Sequence, residues 1–363
     1  EATMYESVSS LVQDASRHDP VVIVLGPSVS PQVLVEHLEP LLKVRADHGA
    51  VMVVHPLSPE MVRSAFRAGV DDVVTADGAD TELLGAIMRS ASRIRAHSED
   101  ARPPAVTNAP LPPTSHRRVV TVFGTKGGVG KSVVAVNLAV ALARQSAQPT
   151  VLVDANLQFG DAAIMLQLPP AHTITEVALA GDRLDGELLD GLLLRHEPSG
   201  LLLLAAPPNP EAADQIGRSN LANAITVLRE RCVYVVIDTS PRIEESTLVA
   251  LEAADDILLL TNLDVTSLKD ARLALQTLQA LGIQQTKVRL VLNRSNTQGG
   301  LTRADAGRSV RMKVTTALPS DPLVADSVNR GMPMVLSAPT SKFALTVDEL
   351  ARALRARSSA NAT

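Results

Sequence analysis

Val119-Val-Thr-Val-Phe-Gly-Thr-Lys126-Gly-Gly-Val-Gly-Lys131-Ser132-Val-Val-Ala-Val-Asn137-Leu138 is the stretch that decides the fold. Its β-branched apolar run reads as a buried strand, its glycines as a turn, and the residues from Ser132 onward as a helix. Gly127, Gly128 and Gly130 allow backbone angles closed to other residues, so successive N–H groups can converge on one anion. The N-terminus of the following helix adds partial positive charge at the same point. The segment Lys126, Gly127, Gly128, Val129, Gly130, Lys131, Ser132 and Val133 is therefore the candidate phosphate cradle. Lys131 is placed to neutralise β- and γ-phosphates, and the Ser132 hydroxyl to ligate Mg²⁺. The alternative is a tight turn with no ligand; the Gly-Lys-Ser ending between a strand and a helix argues against it. Thr125 stands where this pattern usually has its first glycine.

Outward from this turn, apolar runs alternate with helical patterns. Strands are expected at 119–124, 150–154, 200–205, 233–238, 256–261 and 287–292, with helices notably at 132–145, 219–230, 267–281 and 342–356. Before residue 97, strands are expected at 21–25, 50–54 and 72–75, with helices near 30–45, 58–68 and 80–95. Alternation of this kind implies parallel sheets covered by helices. Between the two regions, residues 97–116 hold five prolines and no hydrophobic period, an extended linker. The expected organisation is a small α/β domain at 1–96, a linker at 97–117, a larger α/β domain at 118–356 and a polar tail at 357–363.

Composition narrows the function classes. With four Phe, two Tyr and no Trp, the core must be aliphatic and a base-stacking surface is not expected. The net charge of −5 argues mildly against a dedicated nucleic-acid binder. Cys232, the single cysteine, can form no internal disulfide and fits a small buried residue beside a strand in a reducing cytoplasm. No apolar stretch reaches the length of a membrane span. The Arg303, Arg308, Arg311, Lys313 cluster reads as a solvated face, with DNA contact as the alternative. Leu345, Leu350 and Leu354 read as one face of a last packed helix, with weak membrane contact as the alternative.

The run Cys232-Val-Tyr-Val-Val-Ile-Asp238 delivers one carboxylate to the C-terminal edge of the sheet, where open α/β folds place their ligands. Asp238 is the candidate Mg²⁺ holder, and an N-cap or turn aspartate is the bland alternative.

Lys126, five residues before Lys131, makes the string Lys-Gly-Gly-Val-Gly-Lys-Ser, which resembles the deviant Walker A motif of the MinD/ParA family. That resemblance implies a P-loop NTPase with a doubly wound, mostly parallel sheet, using ATP and Mg²⁺. It implies a homodimer sandwiching ATP, with Lys126 reaching the partner's phosphates. It also implies that Asp154, at the end of Thr150-Val-Leu-Val-Asp154, is an outer-sphere Mg²⁺ partner. The family's water-orienting acid matches Asn156, which carries no charge and is a poor base, so nucleotide binding is expected more firmly than turnover. Lys126, Lys131 and Asn156 are the candidate catalytic residues. Asn293 matches the family's adenine reader and Pro319 the segment bordering the base, although an Asn at a strand end is also a common turn residue.

Residues 1–96 resemble a receiver (flavodoxin-like) domain through Val62-Arg-Ser-Ala-Phe-Arg-Ala-Gly69-Val-Asp-Asp-Val-Val-Thr75. The phosphoacceptor is lost, because Val21-Val-Ile-Val-Leu25 runs into Gly26-Pro27. A degraded receiver, a linker and a MinD/ParA-type ATPase together resemble the CpaE/TadZ proteins of tight-adherence pilus assembly. The strings Asp154-Ala-Asn-Leu-Gln-Phe-Gly-Asp161 and Ala205-Ala-Pro-Pro-Asn-Pro-Glu-Ala-Ala213 resemble the same branch. This implies a weakly hydrolysing, ATP-dependent switch or localisation factor. Its partners would be the secretion machinery or polar or septal proteins, met through the receiver-like domain. Membrane association would be indirect and nucleic acid no partner. A septum-site MinD-like regulator, a non-hydrolysing ATP-bound scaffold and a DNA-partition ATPase remain the alternatives.

Overall fold

A computed structural model describes residues 5, 7–15, 21–44, 48–55, 61, 64–65, 68–75, 83–88, 90–91, 94, 117–170, 172–207, 209–296 and 300–360. The proline-rich stretch 97–116, most of the expected helix at 58–68, parts of that at 80–95 and the last three residues lie outside them. The chain divides into two compact units, Glu1–Arg102 and Pro103–Thr363.

The first unit holds three parallel strands, β1 (Val22–Leu25), β2 (Gly49–Val54) and β3 (Asp72–Thr75), with β2 central. Alternate residues serve opposite faces, as strand geometry requires. Ala50, Met52 and Val54 join Ile23, Leu34 and Leu38 on one side, while Val51 meets Val74 and Ala86 on the other.

The second unit is built on an eight-stranded sheet. Its strands are β4 (Arg118–Phe123), β5 (Thr150–Ala155), β6 (Leu194–His196), β7 (Leu201–Leu204), β8 (Tyr234–Thr239), β9 (Asp256–Asn262), β10 (Val288–Asn293) and β11 (Val314–Ala317). Their order is β11-β10-β9-β4-β8-β5-β7-β6, and only β6 runs antiparallel to its neighbour. The α/β reading with a large, mostly parallel sheet is therefore borne out. Central strands are buried on both faces, which explains their unbroken apolar runs. Val120, Val122, Leu152 and Val236 pack with the helices Lys131–Ser146 and Lys342–Ala360. Their alternates Val119, Val151, Val153 and Ile237 pack with Leu221, Ile225 and Leu228 of the helix Arg218–Arg231.

The last helix, Lys342–Ala360, packs through Phe343, Ala344, Val347, Leu350, Ala351 and Leu354. Leu350 and Leu354 are on the expected face, but Leu345 is 47% exposed and lies off it. Among the described residues, no helix is long and apolar enough to cross a membrane. In the basic cluster, Arg303 donates to the Val314 carbonyl at 2.7 Å and Arg308 pairs with Asp305, so two of its four cations are engaged locally.

At the opposite, N-terminal edge of the sheet, Asp256 is fully buried and holds three arginines. Arg289 Nε is at 2.9 Å, Arg118 Nη1 at 3.4 Å and Arg357 Nε at 3.7 Å. Arg118 also donates to the Arg357 carbonyl at 2.8 Å, tying the last helix to β4, β9 and β10. Cys232 is buried where the helix Arg218–Arg231 ends. Burial, aided by the nearby Asp190 charge, pushes its thiol up to about 12.

Candidate functional site

Strand ends converge on the site because β4 lies at the centre of the sheet, flanked by β8 and β9, with β5 beyond β8. The chain leaves β4 at Gly124, where a side chain would press 2.9 Å from the Leu260 carbonyl of β9. It then winds through Gly128 (φ +74) and Gly130 (φ +94), both left-handed. Nothing lies within 4 Å of where Cβ atoms at Gly127 and Gly128 would stand, so the turn is open on that side. The helix Lys131–Ser146 begins at Gly130, whose lack of a side chain leaves the first-turn N–H groups uncapped. An uncapped helix N-terminus is a ready anion site.

Lys131 sits at the start of that helix with only 7% exposure. Burial lowers its pKa, and the Asp238 charge works against that shift. Asp238 is fully buried at the end of β8, in register with Val122 of β4 on one side and Asp154 of β5 on the other. Parallel neighbours stand about 4.8 Å apart, so the two carboxylates share one small volume. Burial raises the pKa of both. The Asp238 charge raises Asp154 further, while the Ser132 hydroxyl and then the Lys131 ammonium pull Asp238 back down. Asp161, exposed at the end of the following loop, adds negative charge at both.

Their hydrogen bonding separates the two acids. Among the described residues, neither oxygen of Asp238 has a hydrogen bond of ordinary length and angle. Both oxygens of Asp154 are used, by the Asn156 N–H at 3.2 Å and the Ala162 N–H at 3.1 Å. Asp154 thus clasps the loop 156–162 shut, whereas Asp238 is a fully buried carboxylate compensated only by the neighbouring Ser132 hydroxyl, Lys131 ammonium and Thr239 N–H. Such a group is costly unless something compensates it. A divalent cation carrying its own water shell, next to Ser132, fits that gap. The chemistry matches Mg²⁺, which keeps several waters and takes few carboxylates. Among the described residues no cluster of three or more His, Cys, Asp or Glu could hold a metal without such help.

Asn156 does not point its amide at the cradle. Its Nδ2 donates to the Phe159 carbonyl at 2.6 Å and closes a turn that leaves the Phe159 ring 70% exposed. Gly160 completes the loop where a Cβ would stand 2.4 Å from Asp154 Oδ2 and 2.5 Å from Ala206 Cβ. Gly160→Ala should therefore cost about 1–3 kcal/mol through overpacking. Thermal unfolding checks this: an unchanged midpoint would mean that the loop moves aside freely.

Lys126 also turns away from the carboxylates. Its ammonium donates to Thr266 Oγ1 at 2.7 Å and Ser267 Oγ at 3.3 Å, and lies 3.7 Å from Asp264. Asp264 caps the helix Val265–Ala280. Burial pushes its pKa up, but hydrogen bonds from Thr266 and Ser267 outweigh that, and together with Lys126 they bring it down to about 2. Sequence reasoning missed this aspartate, although Asp264-Val-Thr-Ser267 carries the N-cap signature that could have flagged a helix start at the strand's end.

On the other side of the cradle, Asn293 ends β10 and is buried. Its Nδ2 donates to the Val129 carbonyl at 2.8 Å, and its Oδ1 accepts the Arg294 N–H at 3.0 Å. Pro319 is half-buried beside it, because Leu318 N–H donates to the Leu292 carbonyl at 2.8 Å and Ser295 N–H to the Leu318 carbonyl at 2.9 Å. Val129 is core, and Val133 packs half-buried against the same core.

Comparison with known proteins agrees with this geometry. Residues 120–334 match the CobQ/CobB/MinD/ParA nucleotide binding domain. A putative septum site-determining protein MinD from Guillardia theta is 30% identical over 226 residues, covering 60% of this chain and 81% of the relative. Among solved structures, a ParA family ATPase from Chlorobium tepidum TLS superposes with a TM-score of 0.62 at 25% identity. That match covers 65% of this chain and 99% of the other. The septum site-determining protein MinD from Pyrococcus horikoshii OT3, solved with Mg-ADP, gives 0.58 at 22% identity, covering 66% and 96%. With more than half its length matched by that family, and a glycine turn, buried lysine and strand-end aspartate set as described, the chain belongs to the CobQ/CobB/MinD/ParA nucleotide-binding domain family.

Proposed function

We propose that this protein binds MgATP at the C-terminal edge of its eight-stranded sheet and acts as an ATP-dependent dimerising switch in the assembly of tight-adherence pili. The observation that carries the nucleotide reading is the fully buried Asp238, without a hydrogen bond of ordinary geometry, near Lys131 and an uncapped helix N-terminus. Bound Mg²⁺ would supply charge neutralisation of the phosphate oxygens. The turn 126–133 orients the phosphate chain through its N–H groups. Lys131 places a fixed cation where negative charge builds. Asp238 and Ser132 would hold the cation, and Asp154 keeps the loop 156–162 closed through the Asn156 and Ala162 N–H groups. Lys126, held by Asp264 and Thr266 within its own subunit, exchanges those contacts for the phosphates of a second copy when the dimer closes. The pilus role rests on the order of a receiver-like unit, a linker and this domain. The first unit, lacking a phosphoacceptor, serves as the docking surface for secretion or polar proteins at the inner face of the membrane. A septum-site role is the other reading that the relatives support, and neighbouring genes for a secretion ATPase and a pilin would separate the two.

Turnover hinges on Asn156. Its amide is committed to the Phe159 carbonyl, an observation that favours a second reading in which ATP is a structural ligand. An aspartate there could accept from water but could not donate to Phe159. Acid–base assistance of this kind is worth about 10²–10⁴-fold, so Asn156→Asp should raise steady-state ATP hydrolysis at least tenfold. Lys131→Ala serves as the blank. Wild-type turnover no higher than that blank, with partners present, leaves only the scaffold. Absence of any MgATP binding at millimolar ligand sinks both readings.

A further inference from the structure

We infer that Asp161 supplies the carboxylate that orients the attacking water, the task for which Asn156 lacks a charge. This deepens the nucleotide-binding reading and rests on it: the weak hydrolysis of the proposed switch is carried by a residue further along the same loop. The loop 156–162 is wrapped around Asp154. Gly160 packs there so tightly that a Cβ would stand 2.4 Å from Asp154 Oδ2. On the other side of Asp161, the Ala162 N–H donates to the same oxygen at 3.1 Å. Asp161 is thus gripped through both chain neighbours, and standard backbone dimensions keep its Cα within about 6 Å of that oxygen. β5 and β8 in turn set Asp154 beside Asp238 at the sheet edge that carries the glycine turn.

Of these three acids, Asp161 alone is exposed. Asp154 spends its oxygens on the Asn156 and Ala162 N–H groups, and Asp238 is fully buried near Ser132 and Lys131. Asp161 stands at the N-cap of the short helix Ala162–Met165, where an aspartate ordinarily accepts a backbone N–H, yet its side chain makes no capping bond. Among the described residues its carboxylate has no hydrogen-bond or ion-pair partner, so both oxygens are open to water. Its charge still reaches the site, where it disfavours the ionised forms of Asp154 and Asp238 alike. Asn156 is the reverse case, neutral and with its amide donated to the Phe159 carbonyl at 2.6 Å.

A water that donates one hydrogen to Asp161 turns a lone pair toward the γ-phosphorus. As the water oxygen bonds to phosphorus, the bond to the β–γ bridging oxygen breaks. That oxygen keeps the electron pair and leaves with ADP, while the proton passes to Asp161 and on to solvent. The same negative charge repels phosphate oxygens, so Asp161 adds to rate and not to affinity.

Asp161→Asn in the full-length protein keeps the shape and removes the charge. Steady-state ATP hydrolysis should fall roughly tenfold or more, toward the Lys131→Ala blank, since acid–base assistance is worth about 10²–10⁴-fold. Calorimetric titration should show MgATP bound as well as by wild type, or up to about threefold tighter, the range of one exposed charge. The unfolding midpoint should stay where it is, because no capping bond is lost. Three results overturn the proposal. Hydrolysis retained in the variant removes Asp161 from the reaction. A loss of MgATP affinity of about tenfold or a lowered midpoint reassigns it to holding the cation or the fold. Wild-type hydrolysis no higher than the Lys131→Ala blank, in protein that binds MgATP, leaves Asp161 no reaction to assist. Failure of wild-type protein to bind MgATP is a separate result, and it strikes the nucleotide reading itself.

Discussion

Lys131→Ala should weaken MgATP binding by roughly 100- to 1,000-fold, the loss expected when a desolvated ammonium worth about 3–4 kcal/mol is removed. The size follows from where the lysine sits. It is almost wholly buried at the first position of its helix, so water screens it little, and burial has already lowered its pKa. A phosphate would restore the charged form and gain from the low local dielectric. Lys126→Ala is the matched control. That lysine is held by Thr266, Ser267 and Asp264, so its removal should change single-subunit affinity only a few-fold. Isothermal titration with MgATP measures both. Equal losses for the two variants would refute the division of labour between the lysines, and no loss for Lys131→Ala would refute the site.

The largest stability effect is expected at Asp256→Ala. Removing this carboxylate strands Arg118, which is itself buried, and frees Arg289 and Arg357 from their common partner. Breaking a buried ion pair by deleting one member costs about 3–5 kcal/mol. In a unit of this size that corresponds to a fall of about 6–20 °C in midpoint temperature. The last helix should loosen first, since Arg118 also grips the carbonyl of Arg357. Glu252→Ala, which removes the surface partner of Arg218, is the comparison and should hardly move the transition. Calorimetry decides, and a drop at Asp256→Ala no larger than at Glu252→Ala would show that the cluster carries no net stabilisation.

How much of this was legible beforehand depended on distance along the chain. The strand–turn–helix at 118–146 was readable because every residue that shapes it lies inside one continuous stretch. Asp154 and Asp238 were readable as strand ends, and β5 and β8 place them side by side. β6 and β11 were missed. β6 is three residues at an antiparallel edge, and β11 (Val-Thr-Thr-Ala) buries only Val314, so neither shows an apolar run. The helices Ile174–Ala180 and Arg303–Val310 were missed although Thr173 and Thr302 each form a capping box. Both are too short for a hydrophobic period to stand out. The partners of Lys126 and Asn293 were illegible for another reason. Asp264 and Val129 reach them only because β9 lies between β4 and β10, a neighbour relation set by topology. Asn156 could be seen to lack a charge, but its commitment to Phe159 is a matter of loop conformation.

Cys232 has a practical consequence. It is the chain's single thiol, enclosed in the core and held in its unreactive protonated form by burial. A cysteine introduced at Lys269, on the solvent side of the helix whose first turn holds Lys126, would be the sole position open to a maleimide dye or spin label. Inter-subunit distances could then be followed by fluorescence or paramagnetic resonance as ATP is added, with the native core left intact.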